Sequence, residues 1–144
     1  MSKKIRLQNR KVFVDTSAWF SIMHSNDKYH YKIDDKYQQL LDNCNKLITT
    51  NMIVGETYTL MRNRLKLNST IPYDFLDMIK MSRVIKTVVT NKNIESEAIK
   101  ILRKYNDHKF SYVDAVSFAF MNRMGIKHSL TLDIHFEIAG YHML

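Results

Sequence analysis

Four acidic residues of this 144-residue chain lie inside apolar stretches: Asp15 in VFVDTSAWF, Glu56 in MIVGETYTLM, Asp114 in YVDAVSFAF and Asp133 in LTLDIHF. A solitary carboxylate withdrawn from water costs several kcal/mol or takes up a proton. None of the four has a lysine or arginine within three residues, although the chain carries 22 such residues against 14 acids and a net charge of +8. The other acids, among them Asp27, Asp34, Asp35, Glu95 and Glu97, mostly keep polar company and read as solvated charges. A divalent cation is the simplest group that neutralises several such carboxylates at once. Hard oxygen donors with no cysteine beside them and no histidine pair point to Mg²⁺ or Mn²⁺ rather than Zn²⁺. His135, close to Asp133, reads as a packed or surface residue rather than a ligand. His24, His30, His108, His128 and His142 show no ligand spacing.

Hydroxyl groups accompany the acids. Thr16 and Ser17 follow Asp15, and Thr131 precedes Asp133 by two residues; hydroxyls so placed orient ligand oxygens and bridging waters. Carboxylates holding one or two such ions can activate a water, present it in line to a phosphodiester and stabilise the leaving oxygen. In that chemistry Asp15, Asp114 and Asp133 hold the metal, Asp133 directly or through water, and Glu56 binds metal or orients the attacking water. Thr16, Ser17 and Thr131 position them. Each acid also has a purely structural alternative. Asp15 can cap the helix that follows it and Asp133 can cap HFEIA; Ser111-x-x-Asp114 is a capping box; Glu56 can pair with Arg62. The basic surplus suits a polyanionic partner, most often nucleic acid, whose backbone it would hold while the acids hold the metal. Arg62 and Arg64, just beyond Glu56, are candidate phosphate contacts, or else a solvated helix face. The run Lys3, Lys4, Arg6, Arg10 and Lys11 is either an RNA-binding arm or, more simply, a frayed, soluble terminus.

The elements that must carry these residues can be read from periodicity. Short β-branched runs at Lys11–Asp15, Lys46–Thr49, Val84–Val89 and His128–Leu132 read as strands, with a short fifth after Gly140. Helical spacing covers Thr16–Met23, Tyr31–Cys44, a segment capped by Asn51 and running to about Lys66, one opened by Ser69 or Thr70 with Pro72 and ending near Ser82, Asn93–Tyr105, and Ser111–Met124 stopped by Gly125. Strands alternating with helices imply a parallel sheet of four to five strands, right-handed crossovers and helices on both faces. Ligands of such sheets gather beyond the C-terminal strand edge, where all four acids fall. The helix from Asp114 to Met124 rises roughly 15 Å and the next strand returns a similar distance, so Asp114 and Asp133 end at the same edge. Glu56, about a turn and a half into its helix, can reach back to that edge because helical side chains lean toward the N-terminus.

In order and spacing, VFVDTSAWF, TTNMIVGETYTLMRNR, SYVDAVSFAFMNRMGI and SLTLDIHFEIAGY resemble the PIN-domain ribonucleases, and the likeness runs from about Lys11 to Leu144. No acid of the pattern is missing. The resemblance implies a Rossmann-like PIN domain that hydrolyses RNA with Mg²⁺ or Mn²⁺. Because many compact members are VapC-type toxins, it also implies an antitoxin protein and a homodimer. A PIN-fold RNA-processing nuclease that is not a toxin remains an alternative. A haloacid-dehalogenase-type phosphatase would want a second Asp where Ser17 stands, and a receiver domain would want paired acids at one strand. A non-catalytic RNA-binding module would have no use for four costly carboxylates.

Composition narrows the setting. The length suits a single domain over residues 1–144, with residues 1–10 as a basic, flexible N-terminal segment. Cys44 is the only cysteine, which points to a reducing, cytoplasmic environment. Asp15 interrupts the early apolar run and no small-residue cleavage site follows, against a signal peptide. No apolar run approaches the ~20 residues of a membrane span.

Overall fold

The computed structural model describes residues 4–144, so Lys3 lies outside the described residues. Five strands form one parallel sheet: β1 (Lys11–Val14), β2 (Lys46–Thr50), β3 (Ile85–Val88), β4 (His128–Leu130) and β5 (His142–Met143), in the order β3-β2-β1-β4-β5. Every neighbouring pair is parallel. Among the described residues seven helices connect them: α1 (Thr16–Met23), α2 (His30–Asp42), α3 (Asn51–Arg64), α4 (Ile71–Met81), α5 (Lys92–Lys104), α6 (Tyr112–Met124) and α7 (His135–Ile138). The expected α/β architecture is therefore the observed one.

Side-chain alternation along the strands divides the core into two layers. Phe13 of β1 stacks with Phe120 of α6 and Phe136 of α7, at centroid distances of 6.0 Å each. Trp19 of α1 packs against Tyr37 of α2 and Phe75 of α4, and its indole lies 3.5 Å from the Thr49 hydroxyl of β2. Because Phe13 pairs with Ile48 in the register, Thr49 points to the opposite face from Phe13. Both faces of the sheet are thus covered by aromatic clusters, which fixes the central strand β1 and the residue that follows it.

Boundaries differ from the sequence reading at informative places. The first strand ends at Val14 rather than Asp15, and the fourth at Leu130 rather than Leu132, so the residues expected at the strand ends are released into the loops that build the site. Thr50, not Asn51, caps α3 by accepting from Ile53 N at 3.2 Å. Asn51 instead accepts from the Thr90 backbone at 3.0 Å. Gly125 ends α6 with φ of 66°, a left-handed turn that suits glycine.

From Ile5 onward the N-terminal segment is not frayed. Ile5 N donates to Gln39 Oε1 at 2.8 Å, Asn43 donates to Ile5 O at 3.0 Å, and the Ile5 side chain is buried. Asn45 completes the strap: it donates to Leu7 O and Leu40 O and accepts from Arg10 N, at 2.8, 3.2 and 2.9 Å. Sequence periodicity could not register this, because the strap has no repeating pattern of its own. Asn45→Ala removes three side-chain hydrogen bonds to the backbone of Leu7, Arg10 and Leu40, and at about 1 kcal/mol each should destabilise the fold by about 2–3 kcal/mol. Chemical denaturation measures the loss, and protease cleavage before Lys11 should accelerate with it.

Candidate metal centre

Register brings the first two elements of the site together. Val14 of β1 pairs with Leu130 of β4, so the residues immediately beyond them, Asp15 and Thr131, emerge side by side. Asp15 N donates to Leu130 O at 3.1 Å, and Thr131 Oγ1 donates to Asp15 Oδ2 at 2.9 Å. Ser17, in the first turn of α1, lies 3.4 Å from the same oxygen and 3.3 Å from the Thr131 hydroxyl, and accepts from Leu132 N at 2.9 Å. Thr131 also accepts from Asp133 N at 3.0 Å. Thr16 reaches the other way, donating to Glu56 Oε1 of α3 at 2.7 Å. Three hydroxyls thus tie Asp15, Glu56 and the Asp133 loop into one unit.

Asp114 enters from α6. The capping box expected from the sequence forms, with Ser111 N donating to Asp114 Oδ2 and Asp114 N to Ser111 Oγ, both at 3.0 Å. His135 Nδ1 donates to the same Oδ2 at 3.2 Å and lies 3.5 Å from Asp133 Oδ1; Asp133 Oδ1 in turn accepts from His135 N at 2.9 Å. Asp114, Asp133 and His135 offer ligand atoms within 4.8 Å of one another. The sequence reading set His135 aside as a packed or surface residue rather than a ligand; its ring does pack, 5.1 Å from that of Phe110, and it does so against the two carboxylates. One short turn past Asp133 folds its ring back between two carboxylates, and a ligand search based on histidine pairs cannot see a single imidazole placed by acids.

All four acids line one cleft of about 360 Å³, together with Thr16, Ser17, Phe20, Leu60 and Arg64. Arg64 lies over the Phe20 ring at 5.9 Å. Arg62 is directed elsewhere: it donates to Leu67 O at 3.0 Å and sits 6.0 Å from the Tyr73 ring. It does not pair with Glu56. The loop between α1 and α2 also contributes Asp27, Lys28 and Tyr29 to the cleft, residues that the sequence did not single out for it.

Electrostatics separates the metal-site reading from the structural alternatives. Asp15, 5% exposed, makes no side-chain capping bond to α1. Burial pushes its carboxyl up to about 7, against the pull of the Thr16 backbone and the Thr131 hydroxyl, and the charges of Asp114 and Glu56 push the same way. Glu56 is also raised, by burial first, with Asp114 and Asp133 adding to it and the Thr16 hydroxyl opposing. Among the described residues neither Asp15 nor Glu56 has a Lys or Arg ion-pair partner; His135 is the basic group within ion-pair distance of Asp114 and Asp133. A buried carboxylate in repulsion with its neighbours and lacking a cation is the donor set that suits a hard divalent ion. Both hydrogen bonds to Asp114 use Oδ2, so its capping role leaves Oδ1 for a ligand.

The sign of the Asp15 shift yields a stability test. A folded-state pKa raised from 3.8 to about 7 means that the folded chain holds the proton more tightly than the unfolded one. The contribution of Asp15 to metal-free stability is therefore greatest below about pH 4, falls by up to ~1.4 kcal/mol per unit as pH rises toward about 7, and is level above that. Asp15→Asn should raise the Tm of the metal-free protein at about pH 8 and barely change it at about pH 4. Mg²⁺ should stabilise the native chain at the higher pH and the variant much less. Thermal melts in EDTA and in Mg²⁺ read both effects, and an equal Tm for the two proteins at pH 8 contradicts the assignment.

With the geometry in hand, comparison with known proteins gives a consistent answer. The model of the PIN domain family matches residues 12–140. The 23S rRNA-specific endonuclease VapC20 of Mycobacterium tuberculosis, in two strains, is 28% identical over 130 residues, spanning 90% of this chain and 95% of the relative. The crystal structure of M. tuberculosis VapC20, described as a sarcin-ricin loop cleaving toxin, aligns with a TM-score of 0.83 at 26% identity, covering 92% of this chain and 98% of that one. A parallel sheet in the order β3-β2-β1-β4-β5, four acids at its C-terminal edge and a family match along most of its length lead to one conclusion: the chain belongs to the PIN-domain family.

Proposed function

We propose that this chain is a divalent-metal-dependent endoribonuclease and the toxin of a VapBC-type toxin–antitoxin pair. The observation that carries the proposal is the convergence of Asp15, Glu56, Asp114 and Asp133 on one cleft without, among the described residues, a compensating lysine or arginine ion pair. Asp15 and Asp114 would hold Mg²⁺ or Mn²⁺, with Asp133 joining them directly or through a water. A bound ion of this kind supplies Lewis acidity toward a phosphodiester and makes water a better nucleophile near neutral pH. The protein does the positioning. Thr131 and Ser17 fix the Asp15 carboxylate, and Thr16 fixes Glu56 so that its free oxygen can orient a water for in-line attack. His135 holds Asp114 and Asp133 in register with each other. Arg64, on the cleft wall, is placed to contact a phosphate; Arg62, turned toward Leu67, would reach RNA only outside the cleft.

The substrate class follows from the relative, which acts on 23S rRNA. A ribosomal RNA loop is the proposed target here. No described helix is long and apolar enough to cross a membrane, which agrees with action on RNA in the cytoplasm. An antitoxin protein covering the acidic edge and a homodimer complete the reading.

Purified protein incubated with ribosomal RNA in Mg²⁺ or Mn²⁺ should cut at one or a few sites, identified by sequencing RNA ends, and EDTA should abolish the cuts. Asp15→Asn and Asp114→Asn should each reduce the rate by about a thousandfold or more, on the order of 4 kcal/mol of transition-state stabilisation. Cleavage that survives chelation, or that either variant retains, contradicts the mechanism.

Expression of the native chain alone should slow cell growth, while the Asp15→Asn form should be harmless, as growth curves after induction would show. Equal growth with both would keep the nuclease and remove the toxin.

A further inference from the structure

The cleft has two chemically distinct halves. One holds the carboxylates. The other is built by α1, the loop between α1 and α2 and the end of α3, and contributes Phe20, Lys28, Tyr29, Leu60 and Arg64. Its loop is held in a defined shape. Asp27 Oδ2 accepts from Ser21 Oγ at 2.8 Å and from Tyr29 N at 3.0 Å, and His30 Nδ1 meets Ser21 O at 2.7 Å. Turns from His24 to Asp27 and from Asp27 to His30 close it, each with a 3.0 Å backbone bond. These bonds present Tyr29 on the lining of the cleft, 38% exposed, with the Lys28 ammonium over its ring, 4.8 Å from the centroid. On the lining of the same cleft the Arg64 guanidinium lies over the Phe20 ring.

An exposed aromatic ring, one cation over one of its faces and a second on the lining of the same cleft are groups that hold a single-stranded nucleotide. Bases of any identity stack on an aromatic face, and Lys or Arg takes the phosphate. Asp27 is not a free acid in this half, because its Oδ2 is spent on the loop. Nor does the fold require a tyrosine at position 29. The Tyr29 backbone precedes α2 without a side-chain capping bond, and a solvent-facing ring adds little to the core. Resting on the ribonuclease reading above, we propose that Tyr29 is the stacking platform for a nucleotide next to the scissile phosphate, that Lys28 and Arg64 contact its phosphates, and that Asp27 is the residue positioning the platform.

The test uses the full chain and the RNA that the native protein cuts. Binding is measured by fluorescence anisotropy in the Asp15→Asn background, with Tyr29 native or changed to Leu or Phe. Each nucleotide flanking the cut is in turn intact or abasic. Tyr29→Leu should weaken binding about tenfold, and Tyr29→Phe, which keeps the ring, should restore it. With the base removed at one flanking position, the native Tyr29 protein should lose the same tenfold and the Tyr29→Leu form should lose no more. In steady state with Asp15 native, Tyr29→Leu should raise KM far more than it lowers kcat. Asp27→Asn should weaken binding in the same base-dependent way, through misplacement of the ring. Unchanged binding in Tyr29→Leu overturns the proposal, as does a loss that the abasic substitutions do not absorb, which would make the loop merely structural. If the native chain cuts no RNA, the ribonuclease reading itself fails; if it cuts normally and Tyr29→Leu is neutral, only the stacking assignment fails.

Discussion

The buried charge of Asp15 is the constraint on which the rest of the site is organised. The side chain sits one residue beyond the central strand, at the seam between β1 and β4, and is almost fully withdrawn from water. Nothing about the fold demands an acid there. A serine or asparagine would cap α1 as well, and Asp15 does not use its side chain for capping. The protein instead surrounds the carboxylate with hydroxyls from Thr131 and Ser17, which can hydrogen-bond to an anion without neutralising it. That leaves an orienting shell around a charge that no lysine or arginine among the described residues pairs with.

Two of the acids proposed as ligands also lie at helix N-termini. Asp15 is the N-cap of α1, and Asp114 closes the capping box of α6. Free N–H groups and the positive end of the helix dipole favour negative charge at such places. This partial compensation lets the chain fold with its carboxylates close together, yet it is too weak to satisfy them, since Asp15 is still pushed up to about 7. The structural and chemical roles of Asp114 are therefore not rivals. One oxygen serves the helix and His135, and the other is left for the metal.

The convergence of the acids was legible in the sequence because it depends on quantities that periodicity carries: alternating strands and helices, a parallel sheet, and element lengths that return the chain to one edge. The division between Arg62 and Arg64 was legible too, had the helix been unrolled. At about 100° per residue, Arg64 lies only about 80° from Glu56 around α3, whereas Arg62 lies about 120° away on the other side. Treating the two as one basic pair hid that difference. His135 and the Asp27–Tyr29 loop were not legible. Their positions depend on how short irregular segments fold back on the sheet edge, and a solvated-looking acid such as Asp27 gives no hint that its partners are Ser21 Oγ and a backbone amide. The N-terminal strap escaped for the same reason: Asn45, not a hydrophobic pattern, holds it.

A cluster of acids in a chain of net charge +8 is coherent once the cleft is seen as two adjoining environments. Carboxylates alone would repel a polyanion, and lysines alone would bind one without cutting it. Here the acids are recessed at the sheet edge, while Lys28 and Arg64 stand in the other half of the same cleft. Both cations are exposed and neither forms an ion pair with Asp15, so water and salt screen them from its buried charge. They are nonetheless near enough to act on a phosphate held in the cleft. An approaching RNA strand would meet positive charge and an aromatic ring first, and would reach the carboxylates only where a divalent ion had already reversed their sign. The separation of the two halves is thus what allows one surface to attract a polyanion and hold the metal that acts on it.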